Sequence, residues 1–195
     1  MFTIIEDCSP YYIRFTHSNT KQIVSICQSE LTNSAFTNGF THHVLNKHVT
    51  QQILQLDPLA KNLVLNLNRV SLFVTQPGYY YRAHKDGKEN RMSINYTVQI
   101  LDDKCTTNWY DNAVDQYPLD LLDNRSREAM GFDKSQHTPL KSMTAQQDEC
   151  ILFNTDIWHD FDNSQSLNTR AVLTLRSVYP GKFYFEDVKE MLYVQ

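Results

Sequence analysis

Hydrophobic positions change their period several times along the chain. Residues 2–16 alternate and are rich in aromatic and β-branched side chains, which predicts a strand interrupted near Ser9-Pro10. Over 19–33 the apolar positions Ile23, Val24, Cys27 and Leu31 fall at helical spacing, with Asn19 or Thr20 as the N-cap. Residues 34–46 are polar and turn-rich. A second helix is expected over 48–60, where Val49, Ile53, Leu54 and Leu56 form an apolar stripe ahead of Asp57-Pro58. From residue 62 the pattern becomes strand-like, with Pro77-Gly78 as a turn and the run Tyr79-Tyr80-Tyr81 beyond it.

Residues 91–101 alternate well: Ser93, Asn95, Thr97 and Gln99 share one face, and Met92, Ile94, Tyr96, Val98 and Ile100 the other. A short strand is expected over 106–110. Residues 111–144 hold no convincing strand and one short helix near 119–130, which marks an insertion of the lid or binding-loop kind. Strand character returns at 149–154, 158–161 and 170–178, and an amphipathic tail closes the chain. Two N-terminal helices followed by six to eight strands give a mainly β (α+β) fold, a closed sandwich or jelly roll with the helices packed on it. The absence of strand–helix alternation argues against a doubly wound sheet.

Composition narrows the classes. A chain of 195 residues fits one domain, read here as 1–195, with a real core. The net charge of −4 makes nucleic acid the weaker choice of partner. No apolar run approaches the roughly 20 residues that span a bilayer, and residues 1–7 lack the pattern of a signal peptide, so the expected location is cytoplasmic, with no membrane partner. Cys8, Cys27, Cys105 and Cys150 show neither disulfide nor zinc-ligand spacing and read as reduced thiols.

The chemistry gathers around His84-x-Asp86, two metal-competent side chains at the end of a strand. Composition alone yields such a pair about once in two chains of this kind, so its weight depends on context. Of the seven histidines, His42, His43 and His48 lie in or beside polar, helix-flanking sequence and read as solvated. His159 follows an apolar strand, beside Trp158, and its bland reading is a hydrogen-bonded core histidine. Arg170 begins a strand on which Arg170, Val172, Thr174 and Arg176 share a face. A guanidinium on an inward face needs an anion, and its planar fork suits a carboxylate. A structural ion pair with a protein acid is the competing explanation.

The ordered set His84-x-Asp86, His159 and Arg170 resembles the Fe(II)- and 2-oxoglutarate-dependent oxygenases, which are built on a double-stranded β-helix; the likeness spans about residues 70–178. Tyr81, three before His84, Arg91 and Leu152-Phe153 resemble the prolyl 4-hydroxylase branch. Residues 170–176, Arg-x-x-x-Thr-x-Arg, are similar to the alkylation-repair demethylases, although Val172 stands where those have asparagine. The glycine usual before the apolar strand at 149–154 is replaced by Gln147-Asp148.

The resemblance implies Fe(II) held by His84, Asp86 and His159, with 2-oxoglutarate as cosubstrate and O2 as oxidant. It implies that Arg170 clamps the far carboxylate and that Thr174, Tyr81 or Asn95 adds a hydrogen bond. Arg176 would support the near carboxylate or hold Asp86, with nothing to choose between them. The expected outcome is hydroxylation of an amino-acid side chain, free or in a peptide, or of a related small molecule. Arg82, Trp109 and Tyr110 are the candidate substrate contacts, with 111–144 as the lid. Competing readings are a cupin-like metal-binding module without oxygenase activity, a nucleobase demethylase-like oxygenase, and an interaction domain in which the triad is coincidental.

Overall fold

A computed structural model describes residues 1–32, 39–60, 63, 70–86, 91–111, 137–176 and 183–194. Two antiparallel sheets face each other. The larger holds seven strands: β1 (Phe2–Cys8), β2 (Tyr12–His17), β3 (Phe40–Val44), β4 (Ser71–Thr75), β6 (Met92–Gln99), β9 (Cys150–Asn154) and β11 (Arg170–Arg176). Their order across the sheet is β1-β2-β9-β6-β11-β4-β3. The smaller sheet runs β5-β10-β7-β8, from β5 (Tyr80–His84), β10 (His159–Asp162), β7 (Thr106–Trp109) and β8 (Lys141–Met143).

Three helices accompany them: α1 (Thr20–Thr32), α2 (Lys47–Leu56) and α3 (Phe185–Tyr193). Helix α2 starts where the Asn46 side chain accepts a hydrogen bond from the Val49 N–H, 3.0 Å away, which satisfies one of the helix's orphan donors. At its other end Asn19 donates to the Leu56 carbonyl and ties the start of α1 to the end of α2. None of the described helices is long and apolar enough to cross a membrane.

The strict alternation of β6 and β11 divides the molecule. Ile94, Tyr96 and Val98 of β6 and Ala171, Leu173 and Leu175 of β11 enter one large core with Ile23, Val24, Val49, Ile53 and Val188 of the helices. The opposite residues, Ser93 and Asn95 of β6 and Arg170, Val172, Thr174 and Arg176 of β11, turn to the space between the sheets and line its cavity. A second cluster between the sheets joins Tyr12, Trp109, Met143, Ile151 and Phe153.

The structure corrects three expectations. Residues 40–44, placed in a polar loop by the sequence, form edge strand β3 against β4. Residues 141–143, inside the stretch read as strandless, form edge strand β8. Strands precede each of the first two helices, so the helices are not grouped ahead of the sheet. The short helix expected near 119–130, and most of the insertion around it, lie outside the described residues. The four cysteines are unbridged. Asp148, in place of the usual glycine, adopts φ 64°, a left-handed conformation that aspartate tolerates better than most residues.

Candidate active site

Strand β5 carries the site's first ligand by means of an irregular register. Tyr81 pairs with Phe161 and His84 with His159, so β5 holds one more residue than β10 between the two pairs. Such a bulge lets two side chains at odd spacing face the same way. Tyr81 and His84 both line the cavity, whereas Ala83 packs on the other side with Tyr110 and Trp158. Asp86 follows the strand's end, fixed by its N–H to the Thr155 carbonyl at 3.2 Å. His159 opens β10.

One ligand atom from each of His84, Asp86 and His159 lies within 4.8 Å of the others. His84 Nδ1 is 2.8 Å from the Arg82 carbonyl and His159 Nδ1 is 2.8 Å from the Ile157 carbonyl. A carbonyl only accepts, so both Nδ1 atoms carry the proton and both Nε2 atoms present a lone pair. Burial, followed by the neighbouring His84 imidazole, pushes the His159 imidazole down to about 3, and it is therefore neutral at physiological pH.

The Asp86 carboxylate stands 3.5 Å from His84 Nε2 by one oxygen and 2.8 Å from Arg176 Nη2 by the other. Burial alone would raise this carboxyl, but the Arg176 guanidinium, with His84, holds it far below the ordinary carboxylate range. In the neutral tautomers that the Arg82 and Ile157 carbonyls select, two imidazole lone pairs and a carboxylate oxygen converge. That donor set fits a divalent cation and leaves coordination positions on the cavity side.

The cavity measures about 450 Å³ and contains every residue expected to hold iron or the keto acid: His84, Asp86, His159, Arg170, Tyr81, Asn95, Thr174 and Arg176. Across the large sheet the registers set Thr75 beside Arg170, Ser71 and Asn95 beside Thr174, and Ser93 beside Arg176. Arg170 is only 5% exposed. It lies 4.7 Å over the Phe161 ring and donates to Thr107 Oγ1 at 3.3 Å, while its Nε has no hydrogen-bond partner. Among the described residues no carboxylate pairs with it. Of the two roles open to Arg176, the geometry displays the hold on Asp86.

Three residues expected to meet substrate stand elsewhere. Trp109 is fully buried, stacked 5.0 Å from Tyr12 and tilted against Phe153 at 4.9 Å, because β7 lies on the far side of β10 from β5 in the small sheet. Tyr110 is buried too, and its hydroxyl donates to Asp160 Oδ2 at 2.5 Å. Arg82 is exposed and points away from the cavity, as the residue between Tyr81 and Ala83 on the bulged strand.

The sequence did not point to the residues that do form the remaining wall: Phe40 and His42 of β3, Phe73 of β4, and Phe161 of β10. His42 is exposed as expected of a surface histidine, yet it stands at the cavity's rim, with Nε2 2.7 Å from Ser71 Oγ. A short alternation, Phe40 and His42 on one face, was the signal, and it was lost among polar neighbours.

Several solved structures share this architecture. HygX from Streptomyces hygroscopicus, with nickel, 2-oxoglutarate and hygromycin B bound, aligns at a TM-score of 0.60 and 12% identity over 89% of this chain and 84% of that one. EvdO2 from Micromonospora carbonacea var. aurantiaca, complexed with 2-oxoglutarate, aligns at 0.56 and 11% over 93% and 98%. The epimerase SnoN, in complex with Fe3+, alpha ketoglutarate and nogalamycin RO, aligns at 0.54 and 8% over 87% and 81%. What is shared is the fold. It is the β-sandwich of the jelly-roll kind found in these 2-oxoglutarate-binding proteins. No family model matches the chain, and no curated protein does.

Proposed function

We propose that the protein is a non-haem Fe(II)- and 2-oxoglutarate-dependent oxygenase that hydroxylates a small molecule or an amino-acid side chain. The observation that carries this reading is Arg170. A buried guanidinium is costly without an anion, and Arg170, which meets none among the described residues, lines the same cavity as the two imidazoles and the carboxylate. A metal-binding module without a cosubstrate would have reason to pair that arginine internally. An acid that chelates the metal at one end and reaches Arg170 with the other accounts for both features. The fold neighbours that hold nickel or iron together with 2-oxoglutarate support the same choice.

Bound iron would supply the oxidising chemistry, in which O2 and 2-oxoglutarate become succinate and CO2 while one oxygen atom enters a substrate C–H bond. The chain's own residues do the rest. His84 and His159 offer neutral Nε2 donors, their rings fixed by the Nδ1 hydrogen bonds. Arg176 keeps Asp86 ionised and occupies its second oxygen. Arg170 and Thr107 receive the far carboxylate, and Thr174 offers a hydroxyl along the way. Phe153, whose ring lies 4.7 Å from that of His159, and Phe161 keep that side of the site dry. The prolyl-hydroxylase-like flanks around Tyr81, Arg91 and Leu152-Phe153 favour an amino-acid side chain as substrate. Hydroxylation is chosen over epimerisation or ring closure because it needs no further group.

Anaerobic titration with Fe(II) and 2-oxoglutarate tests the reading through the visible metal-to-ligand charge-transfer band. Wild-type protein should develop the band, and His84→Ala should not. Arg170→Ala should still form it, with 2-oxoglutarate affinity lowered about 100-fold through loss of a charge-assisted bidentate contact. A normal band in His84→Ala would overturn the ligand assignment.

A further inference from the structure

The side of the cavity formed by β3, β4 and β5 is built from rings. Phe73 stacks with His42, centroids 4.8 Å apart and planes 12° from parallel, and with Phe40 at 5.5 Å and 28°. Phe40 in turn meets Tyr81 at 4.5 Å and 31°. The register explains the arrangement: His42 is the cross-strand partner of Phe73, and the bulge on β5 brings Tyr81 over from the other sheet. Rings stacked on one another have their faces occupied, and Phe73 has the Arg176 guanidinium 5.5 Å from its centroid as well. What such a stack offers the cavity is chiefly ring edges, the electropositive part of the aromatic quadrupole. It is not a cage of open faces of the kind that captures a cation.

Charge agrees with this. Two arginines line the cavity, and Asp86, already committed, is the only carboxylate among its described lining residues. An ammonium group entering here would lose water and find no anion. Asn95 adds a direction. Its Oδ1 is buried without a hydrogen-bond partner. Ionised 2-oxoglutarate has no N–H or O–H with which to satisfy it, whereas a substrate hydroxyl does.

We infer that the substrate presents a flat, electron-rich ring bearing a hydroxyl and no cationic group, a phenol in chemical class, docked against the Phe40–Phe73 stack with its hydroxyl toward Asn95. The inference rests on the oxygenase reading of the site and narrows its substrate. At about 450 Å³ the cavity sits near the low end of the roughly 300–1,000 Å³ typical of small-molecule sites, so cosubstrate plus one or two rings fills it.

Equilibrium binding to the Zn(II)- and 2-oxoglutarate-loaded protein, followed by ligand-observed NMR, tests it with four probes of similar size. These are 4-methylphenol, 4-methylcyclohexanol, 4-methylanisole and benzylammonium. The expected result is 4-methylphenol tightest, about tenfold ahead of the saturated alcohol, with benzylammonium weakest. Phe40→Leu and Phe73→Leu should each bring the phenol-to-cyclohexanol ratio toward one, a change that lost stability alone does not produce. Equal binding of the phenol and the saturated alcohol, or preference for the ammonium, overturns the inference while leaving the oxygenase reading intact. Equal binding of 4-methylanisole overturns the role given to Asn95. Failure of Zn(II) or 2-oxoglutarate to bind at all strikes the underlying reading instead.

Discussion

Asp86 divides its two oxygens between a histidine and an arginine, and the division governs what the site can bind. With one oxygen held 2.8 Å from Arg176, the carboxylate has a single oxygen left for an ion. Arg176→Gln removes the counter-charge while keeping a donor of similar length. Metal affinity should fall about 10- to 100-fold, the usual effect of losing a partner that orients a ligand. Zn(II) or Co(II) titration measures it; an unchanged affinity would mean Arg176 is merely a neighbour. The chemically distinctive residues, His84, Asp86, His159 and Arg170, could be singled out because their order and spacing resemble those of a known family. Which anion Arg176 serves could not, because Asp86 and a cosubstrate carboxylate would both be met from the same face of β11 and only the third dimension separates them. Phe40 and Phe73 were hidden for a different reason, since an apolar side chain lining a cavity and one lining a core look alike in sequence.

Among the elements, long strands and helices were legible because their faces differ sharply. Strand β11 alternates without a break between core and cavity, and α2 carries Val49 and Ile53 on one stripe. Two of the edge strands were not. Strand β3 pairs on one side only, as does β8, so neither is buried enough to show clean alternation. Strand β7 was found, but Trp109 was given the wrong duty. Its register places it opposite His159, with Phe153 touching both rings. Trp109 therefore buttresses His159 from the side. Trp109→Leu should lower unfolding stability by about 3 kcal/mol, as for a large side chain cut back in a tight core. Denaturant unfolding measures this, and a loss below 1 kcal/mol would contradict the packing role. The phenol-to-cyclohexanol ratio should stay unchanged, since Trp109 does not reach the cavity.

A buried polar chain joins parts of the molecule far apart in sequence. The Asn19 N–H donates to His17 Nδ1 at 3.2 Å, which leaves the proton on Nε2 and makes that atom the donor to the Tyr96 hydroxyl at 2.8 Å. Tyr96 then donates to Asp57 Oδ2 at 2.9 Å, and Asp57 also receives the N–H groups of Leu59 and Ala60. Strand β2, strand β6 and the end of α2 are thereby locked together. Burial pushes His17 down to about 4, against about 6.5 in an unfolded chain. Between those values the unfolded chain binds more protons, so this group's contribution is present above pH 6.5 and is lost as the pH falls to 4. Asp57, raised by burial, pulls the other way over the acid range, so a variant comparison isolates the histidine. His17→Gln, whose amide still donates to Tyr96, should flatten the fall in stability between pH 6.5 and 4 by on the order of 2 kcal/mol. Thermal unfolding against pH reads it, and parallel curves for the two proteins would rule the histidine out.

Strand β11 is the last of the described strands in sequence, yet it lies in the interior of the larger sheet, between β6 and β4. Until residues 170–176 arrive, the two strands that flank it have unpaired edges and the helices have an incomplete surface to pack on. The main core therefore cannot close until β11 is in place between β6 and β4. Unpaired, apolar edges of this kind are where chains associate with one another. The strand that closes the gap also brings both arginines. The larger sheet therefore cannot close without placing Arg170 and Arg176 in the cavity, so sheet closure and assembly of that wall are one event.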